Sequence, residues 1–290
     1  MTAPTEPRSG SEPPDRRHAV AEYFSRNAPA WKGRYGVDGA PAPQNAWEYR
    51  KRGRIALAWL TQLRAQYPDA RMLEIGCGAG VHSTAAAKAG WRVVAADMAP
   101  GMLAEAKQQS SAPSWIAATA EAPPFRPQSF DVVMMNGVIG YLADPVGVLR
   151  IVQSLLRPGG RLIISWVNKP PQLFTRISDT VSALPERVYL SLKRMIKGAP
   201  KAEAAPPGFY EQFLKRSTPD EMYTMLESTG FAVEDVRSQN FGRFRFMGKA
   251  IWPEAVDIKL SELTEAMLGS APRRGLRRGS RTHIALVRRV

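Results

Sequence analysis

The sequence predicts an α/β protein built on a doubly wound, mostly parallel sheet. Three observations predict it: short apolar segments alternate with amphipathic ones from Arg71 to Val167, a glycine loop at Glu74–Gly80 follows the first of them, and an acid, Asp97, ends the second. Strands alternating with helices of this length form parallel βαβ units, whose right-handed crossovers leave little topology free.

Residues 1–17 are rich in Pro, Ser, Glu and Arg, lack the apolar stretch of a signal peptide and read as a disordered tail. Residues 18–67 read as a helical cap. Helical spacing over His18–Trp31 gathers Val20, Tyr23, Phe24 and Trp31 on one side. A Gly/Pro-rich break at Gly33–Pro43 separates it from a second helix, Ala46–Gln66, which stops before Pro68. Residues 68–167 form the ligand-binding core. Its strands are expected at Arg71–Ile75, Arg92–Ala96, Trp115–Ala118, Phe130–Met135 and Arg161–Val167, and its helices at Val81–Ala89, Gly101–Gln108 and Pro145–Leu156.

Residues 168–217 read as a helical insert or lid. An amphipathic helix over Gln172–Lys197 is interrupted at Pro185 and leads into a Pro/Ala/Gly-rich linker, Gly198–Gly208. Residues 218–290 return to the sheet. Thr218 is an N-cap candidate with Pro219 at the first helical position, and Gly230 stops that helix after Ser228. A strand over Phe231–Arg237, a helix over Pro253–Leu268, an arginine-rich loop and a last strand over Thr282–Arg289 follow.

With 290 residues, 44% of them hydrophobic and 23% charged, the chain has the balance of a folded globular protein rather than a disordered or fibrous one. Cys77 is the single cysteine, which excludes an internal disulfide or a thiolate metal cluster, and no metal is expected. A reducing, cytoplasmic setting fits. No apolar run approaches the ~20 residues of a membrane span, so any membrane contact is peripheral, at the inner face. The net charge of +14 suits an anionic partner, whether nucleic acid, acidic lipid or a small anion, or else a solvated basic surface.

The chemistry lies in L-E-I-G-C-G-A-G, Leu73–Gly80. Glycines at alternate positions let the backbone turn sharply and approach a ligand. A dinucleotide fingerprint, G-x-G-x-x-G, would need its third glycine where Val81 stands. Glu74 would repel phosphates and attract a cationic ligand. Asp97, about twenty residues on, is placed to accept hydrogen bonds from both hydroxyls of a ribose. Together these point to an adenosine compound without phosphate that carries a positive charge.

These residues resemble the class I S-adenosylmethionine-dependent methyltransferases, and within them the quinone-biosynthesis and magnesium-protoporphyrin types. The likeness extends through V-V-A-A-D-M-A-P-G-M (Val93–Met102), A-E-A-P-P-F (Ala120–Phe125), S-F-D (Ser129–Asp131), L-R-P-G-G (Leu156–Gly160) and Gly230-Phe231. It implies a Rossmann-like, seven-stranded sheet with its last strand antiparallel, helical inserts, and S-adenosyl-L-methionine as cofactor. Carried over by resemblance, Gly76, Gly78 and Gly80 approach the amino acid part, and Glu74 and Cys77 are cofactor-binding candidates of the same loop. Asp97 holds the ribose, Met98 packs on the adenine, Thr119 and Ala120 read its edge, and Asn136 lies beside the methionine. Arg54 is the candidate for the cofactor carboxylate, because relatives place an arginine on the corresponding helix. This chain departs from the pattern at Thr119, where relatives often have an acid or amide, and at Gly140, where many have histidine. Tyr23, Trp31 and Tyr35 resemble the N-terminal segment that closes over the cofactor.

Methyl transfer from a sulfonium needs in-line approach and positioning rather than a nucleophilic residue. Tyr141 and His82 are the candidates for orienting or deprotonating an acceptor; His18 and His283 read as structural. The implied reaction moves a methyl group to O or C of a hydrophobic small molecule, such as a quinone, polyketide, tetrapyrrole or lipid-linked acceptor. The amphipathic inserts, with Lys193, Arg194 and Lys197 in the first and Arg273, Arg274, Arg277, Arg278 and Arg281 after the second, suit peripheral contact with an anionic membrane. Two other readings stand beside this one. A nucleic-acid methyltransferase fits the charge, but Asn136 is followed by Gly137, Val138 and Ile139, so the amino-methylating D/N-P-P-Y/F motif is missing. A non-catalytic binding module would keep the fold alone.

Overall fold

The structure is a computed structural model that describes residues 16–35, 46–67, 69–169, 208–241 and 280–290, with short pieces at 245–246, 249–250, 256, 259 and 262–263. The expected disordered tail (but for its last two residues), the helix over Gln172–Lys197, the linker and the arginine-rich loop lie outside the described residues. In chain order the elements are α1 (Arg16–Arg26), α2 (Ala28–Tyr35), α3 (Ala46–Arg64), β1 (Arg71–Ile75), α4 (Val81–Lys88), β2 (Arg92–Asp97), α5 (Pro100–Gln109), β3 (Ser114–Ala117) and β4 (Phe130–Asn136). A 3-10 turn at Ile139–Tyr141 precedes α6 (Pro145–Leu155), β5 (Leu156–Val167), α7 (Phe209–Phe213), α8 (Pro219–Ser228) and β6 (Phe231–Phe241). The two-residue strands β7 (Arg245–Phe246) and β8 (Lys249–Ala250) and the final β9 (Ser280–Arg289) complete the order.

Seven strands form one sheet in the order β3-β2-β1-β4-β5-β9-β6. Pairings among β1 to β5 are parallel, and β9 runs antiparallel to both β5 and β6. Its two faces are read directly from the strand period of two. Met72, Val132, Met134, Ile163, Ile284 and Leu286 pack under Trp59, Leu60 and Leu63 of α3, Ala86 of α4 and Leu103 of α5. Leu73, Val133, Met135, Leu162, Ile164 and Val287 face the other way, toward Leu149 and Val152 of α6 and Met222 and Leu226 of α8. All seven residues of β4 are buried, as a central parallel strand covered on both sides requires.

Local sequence sets the ends of these elements. Thr218 caps α8 in a reciprocal box: its hydroxyl accepts the Glu221 N–H at 3.2 Å, while the Glu221 carboxylate accepts the Thr218 N–H at 2.8 Å. Gly230 follows that helix with φ of 80°. Asp131 of the S-F-D motif is buried at the start of β4. It accepts the Arg71 N–H and Arg157 Nη1, both at 2.8 Å, and so stitches β1, β4 and the R-P-G-G turn together at the sheet end remote from the loop.

Two expectations need correcting here. Arg16 and Arg17, expected in the tail, begin α1, and the break expected from Gly33 starts no earlier than residue 36, because α2 continues to Tyr35. Trp31, buried against Ala79, Ala99 and Met102, packs this helix on the glycine loop and α5. The second insert shows helix at residues 256, 259 and 262–263, with Val256 and Leu263 exposed.

Candidate active site

Between β1 and β4 successive connections leave on opposite faces of the sheet, and such a switch point opens a crevice at the strand ends. A cavity of 510 Å³ lies there. The loop Gly76–Gly80 forms its floor and is held by backbone: the N–H groups of Gly76 and Cys77 both donate to Ala96 O, at 2.8 and 3.1 Å. The glycines of this loop do different work. Gly78, with φ of 53°, has nothing nearer to a hypothetical Cβ than Met102 Sδ at 3.9 Å, so its open side belongs to the cavity. Gly80 does not line the cavity. A Cβ there would overlap the Trp115 ring and sit 2.8 Å from Ala106 Cβ, so this glycine serves the packing of α4 on α5 and β3.

Asp97 is the anchor of the loop. Its Oδ2 accepts the Gly78 N–H and its Oδ1 the Ala99 N–H, both at 2.8 Å, which leaves lone pairs of both oxygens facing the cavity. Enclosure pushes its pKa above the usual carboxylate value, and those two N–H groups pull the other way. Burial also holds the Cys77 thiol well above its ordinary range, with the charges of Asp97 and Glu74 adding to it. Cys77 is therefore a protonated wall group. Glu74 is only 1% exposed and is turned partly away from the cavity. It accepts the Ser83 hydroxyl, and its Oε1 lies 3.4 Å from His82 Nδ1. The other edge of the His82 ring meets Gly53, where a Cβ would overlap Nε2. His82 thus braces α4 against α3 while also touching the cavity.

The strongest indication of a ligand stands at the end of β4. The Ser165 hydroxyl accepts the Gly137 N–H at 2.8 Å and donates to Asn136 Oδ1 at 2.7 Å, which fixes the orientation of the Asn136 amide. Its Nδ2 is then a buried donor without a partner. Beside Gly137 lies the Arg52 guanidinium, 5% exposed. Arg52 donates to the Tyr35 hydroxyl at 3.1 Å and lies over the Tyr49 ring at 5.3 Å, its Nε is unpaired, and no carboxylate pairs with it among the described residues. A buried cation without a counter-charge costs several kcal/mol, and a donor without an acceptor adds to that. Gly137 joins the two groups, and an anion bound beside it would relieve both defects.

Cavity-lining positions include Glu74, Gly76, Cys77, Gly78, Asp97 and Met98, and also Ala120, Asn136, His82 and Tyr141. Three sequence candidates lie outside the lining: Gly80, Arg54 and Thr119. Arg54 is exposed, whereas Arg52 of the same helix is buried and lines the cavity. The helical period carried that signal: Arg52 precedes the buried Ala56, Leu60 and Leu63 by four, eight and eleven residues, whereas Arg54 is out of phase with them. Thr119 stands outside the lining, and Glu121 supplies an acid to the wall that Ala118 and Ala120 form. Arg17, Leu214 and Arg216 also line the cavity. These last residues approach from distant parts of the chain, where no local motif marks them.

The strand order, the switch-point cavity and its two unpaired donors define a class I adenosyl-dependent methyltransferase. Known proteins agree. Residues 73–164 match the methyltransferase domain family. A ubiquinone biosynthesis O-methyltransferase of Xanthomonas campestris pv. campestris (strain B100) is 34% identical over 63% of this chain and 71% of its own length. The protein of that name from Cereibacter sphaeroides (strain KD131) is 30% identical over 59% of this chain, and the match spans 64% of its own length, just under two thirds. In fold, the magnesium protoporphyrin IX methyltransferase of Synechocystis PCC 6803, solved with bound S-adenosylmethionine, superposes at a TM-score of 0.59 with 15% identity, covering 97% of this chain and all of that one. The chain belongs to the S-adenosylmethionine-dependent methyltransferases, and the residues present fit that cofactor.

Proposed function

We propose that the chain transfers a methyl group from S-adenosylmethionine to oxygen or carbon of a hydrophobic small molecule. The bound sulfonium supplies an activated methyl carbon with a neutral leaving group. Arg52 and the Asn136 amide hold the amino acid carboxylate, Asp97 accepts from the ribose hydroxyls, and Met98 and Ala120 face the adenine with Glu121 at its polar edge. Bound there, the cofactor would give its methyl group to the acceptor oxygen or carbon and leave as a neutral thioether, with the proton of a neutral acceptor released to solvent.

The observation that supports the acceptor class is an apolar patch in the remaining wall, which also holds Arg17, Glu48 and Arg216. Phe24, Val138, Tyr141, Leu142 and Leu214 line it. Tyr141 is set by Phe24, whose ring meets it edge-on at 5.3 Å, and by the 3-10 turn. A wall of this kind binds an apolar body and excludes water from the reacting centre. The 34% identity to a ubiquinone biosynthesis O-methyltransferase favours an aromatic hydroxyl among such acceptors. Peripheral contact with an anionic membrane is part of the same proposal, supported by the net charge of +14; among the described residues no helix is long and apolar enough to cross a membrane.

Incubation with methyl-labelled cofactor and, in parallel, lipid and metabolite extracts or total RNA tests the reading. Label is expected in the organic-soluble extract. Label found in RNA alone overturns it.

A further inference from the structure

Besides Arg52, two further arginines line the cavity, Arg17 and Arg216, and Arg17 is already engaged by a neighbour. Glu74 is engaged by Ser83 and His82, Asp97 by two backbone N–H groups, and Arg52 faces the Gly137 turn with Asn136. Arg216 lines the cavity with Leu214, on the segment that packs against the 3-10 turn of Tyr141, and it forms no ion pair among the described residues.

Arg216 is held there by backbone on both sides. The Lys215 N–H donates to Gly140 O at 2.8 Å, and the Ser217 N–H donates to Val167 O at 3.2 Å. Gly140 makes the first of these contacts available. A Cβ at that position would lie 2.7 Å from both Leu214 Cδ1 and Lys215 O, closer than real side chains approach. Without it, residues 214–216 settle onto the 3-10 turn and deliver a leucine and an arginine to the acceptor wall. Gly140 is therefore the position that admits Leu214 and Arg216 to the wall. His82 has Nδ1 turned to Glu74 and Nε2 set against Gly53.

We infer that Arg216 recognises the acceptor, and that the acceptor is an apolar small molecule bearing a carboxylate. The apolar body lies against Val138, Tyr141, Leu142 and Leu214, and the carboxylate meets the guanidinium at the cavity mouth, where the planar fork matches it in two parallel hydrogen bonds. The inference rests on the acceptor half of the proposed function. Because Arg216 is exposed on its outer side, water weakens the pair and the expected preference is about tenfold rather than thousands.

Calorimetry on the full chain saturated with S-adenosylhomocysteine tests this, with 2-naphthoate and 2-naphthalenemethanol as probes of equal body and different charge. The carboxylate is expected to bind about tenfold tighter at low salt. Arg216→Gln should reduce that preference to within twofold without changing the affinity for S-adenosylhomocysteine, while Arg54→Gln, which removes an exposed charge elsewhere, should leave it intact. Equal affinities for the two probes in the unaltered protein, or a preference that survives Arg216→Gln, overturn the inference. So does an Arg216→Gln protein that loses only its binding to phosphatidylglycerol vesicles, since the arginine would then serve lipid phosphate. Failure to bind S-adenosylhomocysteine at all would instead strike the cofactor site, and this inference with it.

Discussion

The two walls of the cavity are made by different means. Residues 74–142 supply a wall of backbone and strand ends, in which the loop, Asp97 and Asn136 are fixed by hydrogen bonds to their own neighbours in the sheet. The facing wall comes from α1 to α3 and residues 214–216, and it is made by side chains whose position depends on how helices dock. Aromatic contacts hold it: Tyr23 stacks on Phe209 with centroids 3.6 Å apart, and Phe24 meets both Trp31 and Tyr141. In the proposed assignment the cofactor takes the first wall together with Arg52 of α3, and the acceptor takes Leu214 and Arg216 together with Val138, Tyr141 and Leu142.

If the backbone wall carries the cofactor, its loss should be the largest effect. Asp97→Ala removes the ribose acceptor and also frees the Gly78 and Ala99 N–H groups. The affinity for S-adenosylhomocysteine should fall about 100-fold, the equivalent of two hydrogen bonds to a charged group. A loss below fivefold in calorimetry would break the assignment.

Within the same loop, two glycines should separate folding from binding. Gly80→Ala forces φ of 81° on alanine and meets Trp115 and Ala106, so it should cost about 2–4 kcal/mol in denaturant unfolding. Gly78→Ala faces open space and should cost about 1 kcal/mol, yet reduce cofactor affinity more than stability. Equal losses of stability would show that both glycines serve packing.

A pH series sharpens the role of Asp97. Ribose hydroxyls donate to the ionised carboxylate, so affinity for S-adenosylhomocysteine should decline as pH falls through a pKa raised by burial, beginning above the range of an ordinary aspartate. Stability of the free protein should move oppositely. A carboxyl whose folded pKa exceeds its unfolded one takes up its proton first in the folded state, so its contribution to stability grows as pH falls through that window. The smallest effect belongs far from both walls: Thr218→Ala should cost about 1 kcal/mol through the lost cap and leave cofactor binding unchanged.

The contrast also explains what the sequence makes legible. Strand order, the glycine loop and Asp97 are visible because each rests on neighbours close in the chain or on a strand period that repeats. Arg52 was within reach of the same logic, since its phase matches the buried stripe of α3, but the arginines around it share one composition and conceal it. Gly80 misleads because a motif records that glycine is required and not what it avoids, here the Trp115 ring. Arg216 has no local signal at all. It is placed by a glycine some seventy residues earlier, a contact that exists only after α7 and the 3-10 turn have met.

The central claim is that Arg52 and Asn136 wait for the carboxylate of an adenosyl amino acid. Calorimetry comparing S-adenosylhomocysteine with 5′-methylthioadenosine, which lacks the amino acid, tests it most directly. The unaltered protein should favour S-adenosylhomocysteine about 100-fold, Arg52→Met should collapse that margin to within fivefold, and removal of an unpaired buried cation should leave thermal stability of the ligand-free protein unchanged or higher. A margin that persists in Arg52→Met, or no margin in the unaltered protein, would contradict the account.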